Sequence, residues 1–331
     1  MRNRTVAVLL FAVALLTSLG WTAESWGQTK IARVGILATP LAGTTDEAMA
    51  KFYEPFRRMV AQHDWVEGKN VSFLYRSARG NPPQFAESAA EFVRLNVDVI
   101  YANSAPATRA AYDETRTIPI VALDYTNDPV AAGYAESYSR PGRNLTGLFL
   151  DAPEFASKWL ELLQAIVPRL SRVAVLWDPG PGRTHLQAVQ VAAKTLRVQL
   201  QVLEVHNTID IEVAFSPLRG RPQALIVLPS PMLWGQSARI AELTLKHRLP
   251  ATSMAGEFAQ AGGMLSYGPD PASSFERNAA LVAKILGGAK PGDLPLERPT
   301  KFKLVVNLKT ARALGLTIPQ SILLQADEVI Q

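Results

Sequence analysis

The sequence has no cysteine. That excludes disulfides, thiolate nucleophiles, cysteine-based metal sites and a lipid attached through an N-terminal cysteine. Histidine is scarce. His63, His185, His206 and His247 stand far apart, and none has H-x-x-x-H or H-E-x-x-H spacing, so a catalytic metal is not expected. All four are read as solvated side chains. No G-x-G-x-x-G follows a predicted strand, and no Walker A motif or G-x-S-x-G elbow is present. Clustered charge is missing too. The net charge is +5 and the pI about 9.4, but Lys and Arg are scattered, with no run longer than Arg57-Arg58. A nucleic-acid partner needs basic residues gathered on one face, so none is expected. Beyond the N-terminus no apolar run approaches the roughly 20 residues of a membrane span.

What is present begins with a leader. Met1-Arg2-Asn3-Arg4 is basic, and Thr5 to Gly20 is an apolar stretch short for a bilayer span. Ser25 and Gly27 put small residues at −3 and −1. Residues 1–27 are therefore expected to be a signal peptide, cleaved after Gly27 from an exported chain. An uncleaved anchor is the alternative.

Val97 to Leu123 sets the pattern for the rest. Val97 to Tyr101 reads as a buried strand, Ala107 to Thr115 as a helix, and Ile120 to Leu123 as a second strand. Strand, helix and strand in so short a stretch make a βαβ unit with parallel strands. Ser104 stands where an N-cap belongs, and Pro106 suits an early helical position. Before this unit come strands at Lys30–Ala38 and Val71–Arg76, a helix from about Glu47 to His63 and another at Gln84–Arg94. After it, Leu145–Leu150 completes a sheet of about five strands.

Then the rhythm restarts. Helices are expected at Ala152–Val167, Thr184–Leu196, Ile209–Leu218, Leu233–His247 and Pro271–Leu286, with a last short one at Leu308–Leu314. The strands between them are Arg172–Trp177, Gln199–Val205, Gln223–Leu228, Pro250–Ser253 and Phe302–Asn307. Gly287 to Pro299 reads as a Gly/Pro-rich linker. The fold class is α/β, with two doubly wound parallel-sheet lobes joined by a hinge and their carboxyl edges facing a cleft. Tandem Rossmann-type enzyme domains are the competing reading. The lobes are expected at 28–147 plus 268–298 and at 148–267 plus 299–331, with crossings near Gly147, Gly268 and Pro299.

The motifs also resemble a known family. Asp128-Pro129-Val130 with Gly133, Arg140-Pro141-Gly142 with Asn144-Leu145-Thr146-Gly147, and Lys158-Trp159-Leu160-Glu161 belong to the pattern. So do Glu257-Phe258-Ala259-Gln260-Ala261-Gly262-Gly263, Gly287-Gly288-Ala289-Lys290-Pro291-Gly292-Asp293-Leu294-Pro295 and Val305-Val306-Asn307-Leu308. Together they resemble the ABC-transporter substrate-binding proteins of the tryptophan-importer-like group, which have a type I periplasmic binding fold. The resemblance implies a periplasmic protein that captures a small solute and delivers it to a membrane permease and its ATPase, with no catalysis and no cofactor. Amino acids, aromatic ones among them, are the family's better-known cargo, and a monomer is expected. The chain departs from the pattern at Trp177-Asp178-Pro179, where Asn-Pro is commoner. It departs again at Pro229-Ser230-Pro231-Met232, where Asp-Pro-aromatic is usual.

Ser104 and Ala105 are the candidates to cradle a solute carboxylate at a helix N-terminus, with Thr39 from the first loop. Asp128 is the candidate for an ammonium group. Asp178, Ser230, Glu257 and Tyr267 are nominated from the second lobe, and Tyr125 and Trp234 to flank an aromatic or apolar body. A sensing module and an exported enzyme remain as alternatives. The enzyme would need a paired acid and base among carboxylates such as Asp124, Asp128, Asp178 and Glu257.

Overall fold

Val, Ile, Leu and Ala fill the strands without polar alternation, which suits strands covered on both faces. The computed structural model describes residues 31–38, 46–77, 82–150, 152–216 and 221–331. The expected signal peptide and the start of the first strand at Lys30 lie outside these residues. Among the described residues no helix is long and apolar enough to cross a membrane.

The first sheet contains β1 (Ala32–Ala38), β2 (Val71–Ser77), β3 (Val99–Asn103), β4 (Ile120–Asp124) and β5 (Leu145–Phe149). All are parallel, in the order β2-β1-β3-β4-β5. Every residue of β4 and β5 is buried. One face is covered by the helices Glu54–Ala61 and Pro271–Leu286, through Phe56, Val60, Phe275 and Val282. The other is covered by Pro82–Arg94 and Ala105–Glu114, through Phe85, Phe92, Ala107 and Ala111. Each large side chain so buried contributes about 1.5–3 kcal/mol relative to exposure.

The second sheet contains β6 (Arg172–Trp177), β7 (Gln199–Glu204), β8 (Ala224–Val227), β9 (Ala251–Ser253), β10 (Leu265–Pro269), β11 (Phe302–Asn307) and β12 (Glu328–Ile330). Its order is β12-β11-β10-β9-β8-β6-β7. Read from β7 to β10, this is the first sheet's order again. β11 runs antiparallel to β10, and β12 parallel to β11. Trp159 and Leu163 from Ala152–Ile166, with Val189 from Thr184–Thr195, pack on one face. Ile211, Phe215, Ile240 and Leu243 pack on the other, from Thr208–Phe215 and Ser237–Lys246.

Three local features depart from expectation. The helix expected over Glu47–His63 is two, Asp46–Phe52 and Glu54–Ala61, broken at Tyr53 with φ −88° and ψ 6°. Pro55 stands at the start of the second and has no N–H to continue the first. The break sinks the Tyr53 ring beside Tyr101 and Phe275, each about 6 Å away. Likewise Leu233–His247 is two helices, Pro231–Gly235 and Ser237–Lys246. The helix Gln320–Leu323 and β12 were not anticipated, because such short elements are set by the neighbour they pack against.

The chain passes between the sheets at three neighbouring places. Phe149 N–H donates to the Glu297 carbonyl and Glu297 N–H to the Gly147 carbonyl, both at 2.9 Å. Asp270 N–H donates to the Lys301 carbonyl at 3.0 Å. The end of the Gly/Pro-rich linker, at Glu297, thus lies hydrogen-bonded beside β5.

Gly147 has φ +143°, and a Cβ there would stand 2.1 Å from the Ala122 carbonyl oxygen. Both the conformation and the close approach of β4 exclude a side chain. Gly147→Ala is therefore expected to cost more than about 2 kcal/mol, by strain and overpacking together. Urea denaturation measures it, and a midpoint equal to the parent's would contradict this account of β4 and β5.

Candidate functional site

In each sheet the strand order reverses at one point, between β1 and β3 in the first and between β6 and β8 in the second. Loops at the carboxyl ends of strands diverge there and leave a crevice. Thr39 follows β1 and lies outside the described residues. Ser104 follows β3, Asp178 follows β6, and Ser230 lies just beyond β8.

Both serines cap helices, in different ways. Ser230 is extended, with φ −160°. Its Oγ accepts from the Met232 and Leu233 N–H groups at 3.1 and 3.4 Å, and donates to Asp178 Oδ2 at 2.5 Å. Asp178 Oδ1 accepts from Gly180 N–H at 2.9 Å. The pair locks the two loops of the second switch point and sets the helix that carries Trp234. Ser104 Oγ accepts from Ala107 N–H at 3.4 Å, but its backbone has φ +141° and ψ 164°. That region belongs essentially to glycine, and a non-glycine residue there costs about 1–3 kcal/mol. Strain of this size, held at a switch point, makes the loop a candidate for function.

Between the two carboxyl edges lies a cavity of about 50 Å³. Asn103, Ser104, Ala105, Leu123, Tyr125 and Thr126 line it from the first sheet, and Pro231 and Trp234 from the second. No lining side chain is Asp, Glu, His, Lys or Arg. The Trp234 indole N–H is buried and has no hydrogen-bond partner among the described residues. A buried donor left unpaired costs about 1–3 kcal/mol, which an acceptor on a solute would recover.

Tyr125 packs against the cores of both lobes. Its phenol donates to Ser274 Oγ at 2.6 Å, and burial raises its pKa above the usual range. Its backbone carbonyl lies 2.5 Å from Nε2 of His185, a residue of the second lobe. The loop is fixed from below by Asp124. That carboxylate is fully buried and accepts from Thr126 N–H and Oγ1–H at 2.8 and 2.9 Å, and from Asn127 N–H and Nδ2–H at 3.1 and 2.8 Å. Burial raises its pKa, and these four bonds oppose the shift.

The cavity thus brings together Ser104, Ala105, Tyr125 and Trp234 of the sequence candidates. Asp178 and Ser230 stand behind Trp234, bound to each other. Asp128 is exposed and accepts from the Val130 and Ala131 N–H groups of its own turn at 2.8 and 3.0 Å. Glu257 is exposed on the short helix Gly256–Gln260. Tyr267 stacks with Phe155 at 5.4 Å and takes Trp159 Nε1–H on its carbonyl at 2.8 Å. None of these three is in the lining. Sequence reasoning missed Asn103, Leu123, Thr126 and Pro231, of which Asn103 was detectable as the last polar residue of β3. It also misread His185, which is 6% exposed rather than solvated. Among the described residues no group of three or more His, Asp or Glu could hold a metal ion. A larger groove of about 440 Å³ runs between Ala152–Ile166 and Thr184–Thr195, but one lobe alone lines it.

Comparison with known proteins is consistent across methods. The family described as "ABC transporter substrate binding protein" matches residues 42–330. A "Tyrosine-binding protein" of Clostridioides difficile is 23% identical over 273 residues, covering 81% of this chain and 78% of that protein. The crystal structure of a conserved domain protein from Vibrio cholerae superposes with TM-score 0.82 at 26% identity, covering 91% of this chain and all of the other. The "ABC domain in complex with L-Trp" from Streptococcus pneumonia gives 0.80 at 21%, covering 90% and 99%.

Ser230→Ala removes a cap and leaves Asp178 without its partner. The expected loss is about 1–2 kcal/mol of stability. Chemical denaturation checks it, and an unchanged midpoint would show that the Asp178–Ser230 bond does not hold the loops.

Proposed function

We propose that this chain, which belongs to the ABC transporter substrate binding protein family, captures a small solute between its two lobes and hands it to a membrane permease and its ATPase. The family is one of solute-binding proteins rather than enzymes. The site of action is the periplasm, reached through the signal peptide at 1–27. The solute carries a carboxylate or similar acceptor on an aromatic or apolar body, with aromatic amino acids the first class to try. One observation carries this reading: the cavity is lined from both lobes, and one lining residue, Trp234, has a buried indole N–H without a partner among the described residues.

The roles belong to the same proposal. Trp234 donates to the solute's acceptor, the N-terminal end of Ala105–Glu114 with Ser104 faces its negative charge, and Tyr125 and Leu123 flank its body. Thr39, outside the described residues, is kept on the sequence pattern alone. Asp178 and Ser230 act by placing Trp234. Asp128, Glu257 and Tyr267 are kept as rim groups, met only as the lobes move. The tyrosine-binding relative and the L-Trp complex support the aromatic amino acid class.

A cavity of about 50 Å³ is far below the roughly 300–1,000 Å³ of drug-sized ligand pockets, so entry requires the lobes to part. The moving bodies are 28–147 plus 268–298 and 148–267 plus 299–331, pivoting near Gly147, Gly268 and Pro299. Closure needs a solute that binds the closed form better than the open one. Taking the equilibrium from mostly open to mostly closed requires roughly 5.5 kcal/mol of that difference.

A thermal-shift screen of residues 28–331 against amino acids, aromatic acids, short carboxylates and sugars tests the reading. A solute at 100 times its dissociation constant adds about 2.7 kcal/mol of stability. A saturable shift with the solute recovered unchanged is the expected result, whereas consumption of the solute would mean an enzyme. For the solute found, Trp234→Phe keeps the ring and deletes the donor. It should weaken binding by about 1.5–3 kcal/mol, roughly tenfold or more, as measured by titration calorimetry. Unchanged affinity would remove Trp234 from the site.

A further inference from the structure

His185 lies near the start of Thr184–Thr195 in the second lobe, and its side chain is buried. Its Nε2 approaches the Tyr125 carbonyl oxygen, in the first lobe, to 2.5 Å. A carbonyl only accepts, so Nε2 carries the proton. Nδ1 is also buried and has no partner among the described residues. The ring is therefore neutral, with one lone pair facing no donor. Packing within the second lobe does not account for this arrangement, because the polar partner of the ring belongs to the other lobe. If the lobes part, both ring nitrogens and the Tyr125 carbonyl return to water.

We propose that His185 is a positioning residue for solute capture: its Nε2–H bond to the Tyr125 carbonyl ties the closed form and holds the Tyr125 ring against the solute. The tie rests on the capture reading above, since it acts through Tyr125, which lines the cavity. The bond exists only when the lobes are together, so it is a differential contact of the kind closure requires.

The tie is also sensitive to protons. A second proton would sit on Nδ1, buried and facing no acceptor. Burial lowers the His185 pKa to about 4. The groups packed around the ring do not titrate in competition with it. Trp159, from Ala152–Ile166, stands 6.1 Å away and carries no charge. The Tyr125 phenol is raised, and the Asp270 charge acts on that phenol. Arg183, two residues before His185, lays its guanidinium over the Trp177 ring at 5.2 Å. When the lobes part, His185 returns toward the ordinary value near 6.5 and takes up a proton. The tie is therefore complete above about pH 6.5 and weakens as the pH falls from there toward 4.

The chain has no cysteine, so two introduced thiols are the sole attachment points. Spin labels at Glu114→Cys and Lys194→Cys, both exposed, report the distance between the lobes in the solute-free protein. The expected closed-to-open ratio falls about tenfold between pH 7.5 and 5.5. His185→Phe should show the open distribution at both pH values. His185→Gln keeps an amide donor and should restore closure at pH 7.5 without the pH response. Identical distributions for the parent and His185→Phe at both pH values would overturn the assignment. This readout needs no solute, so it stands apart from the binding screen. Binding with no His185 effect removes the tie alone, and a His185 effect with no binder found removes the assigned solute class alone.

Discussion

The carboxyl edge of a buried parallel sheet gathers polar groups that neither the sheet nor the helices can satisfy, and each must find a partner at low dielectric cost. Much of the described site answers this constraint. Asp124 collects four donors from Thr126 and Asn127. Ser230 serves Asp178 and two helix amides at once. Asp128 closes on its own turn. Among the described residues, the Trp234 indole N–H and one imidazole nitrogen of His185 are buried polar groups left without a partner. Asp124, Asp128 and Asp178 along this edge are used to build loops.

The two lobes repeat one strand order, and their switch-point serines occupy equivalent places after β3 and β8. Their backbones differ. Ser230 is relaxed and double-bonded into its lobe, while Ser104 sits in glycine's territory at φ +141°. One wall of the cleft is therefore built to stay as it is, and the other holds stored strain. The same asymmetry appears in the loops above them. Trp234 is fixed by its helix cap, whereas Tyr125 is shared between two cores, its phenol donating to Ser274 in one lobe and its carbonyl accepting from His185 in the other.

Much of this was legible in the sequence because it depends on local order. Apolar runs ending in small polar residues located the strands, and Ser followed closely by Pro located the cap at Ser104. What failed depended on partners remote in sequence. A carboxylate at a loop end looks the same whether it faces a solute or caps its own turn, so Asp128 could not be told from a ligand group. His185 looked like a surface residue because the carbonyl that receives its proton lies 60 positions away, in the other lobe. The break at Tyr53 depended on an aromatic cluster whose members come from β3 and from Pro271–Leu286. Asn103 reads as a strand end, yet its Nδ2 donates to the Tyr53 phenol at 2.7 Å and ties the switch point to that same cluster.

The three passages between the sheets run side by side and are cross-linked at Phe149–Glu297, Gly147–Glu297 and Asp270–Lys301. Mechanically they form a strap rather than a string. The third passage is bonded to both of the others, so a displacement of any one of them is resisted by its neighbour. Load applied at one sheet is shared among the three passages before it reaches the other.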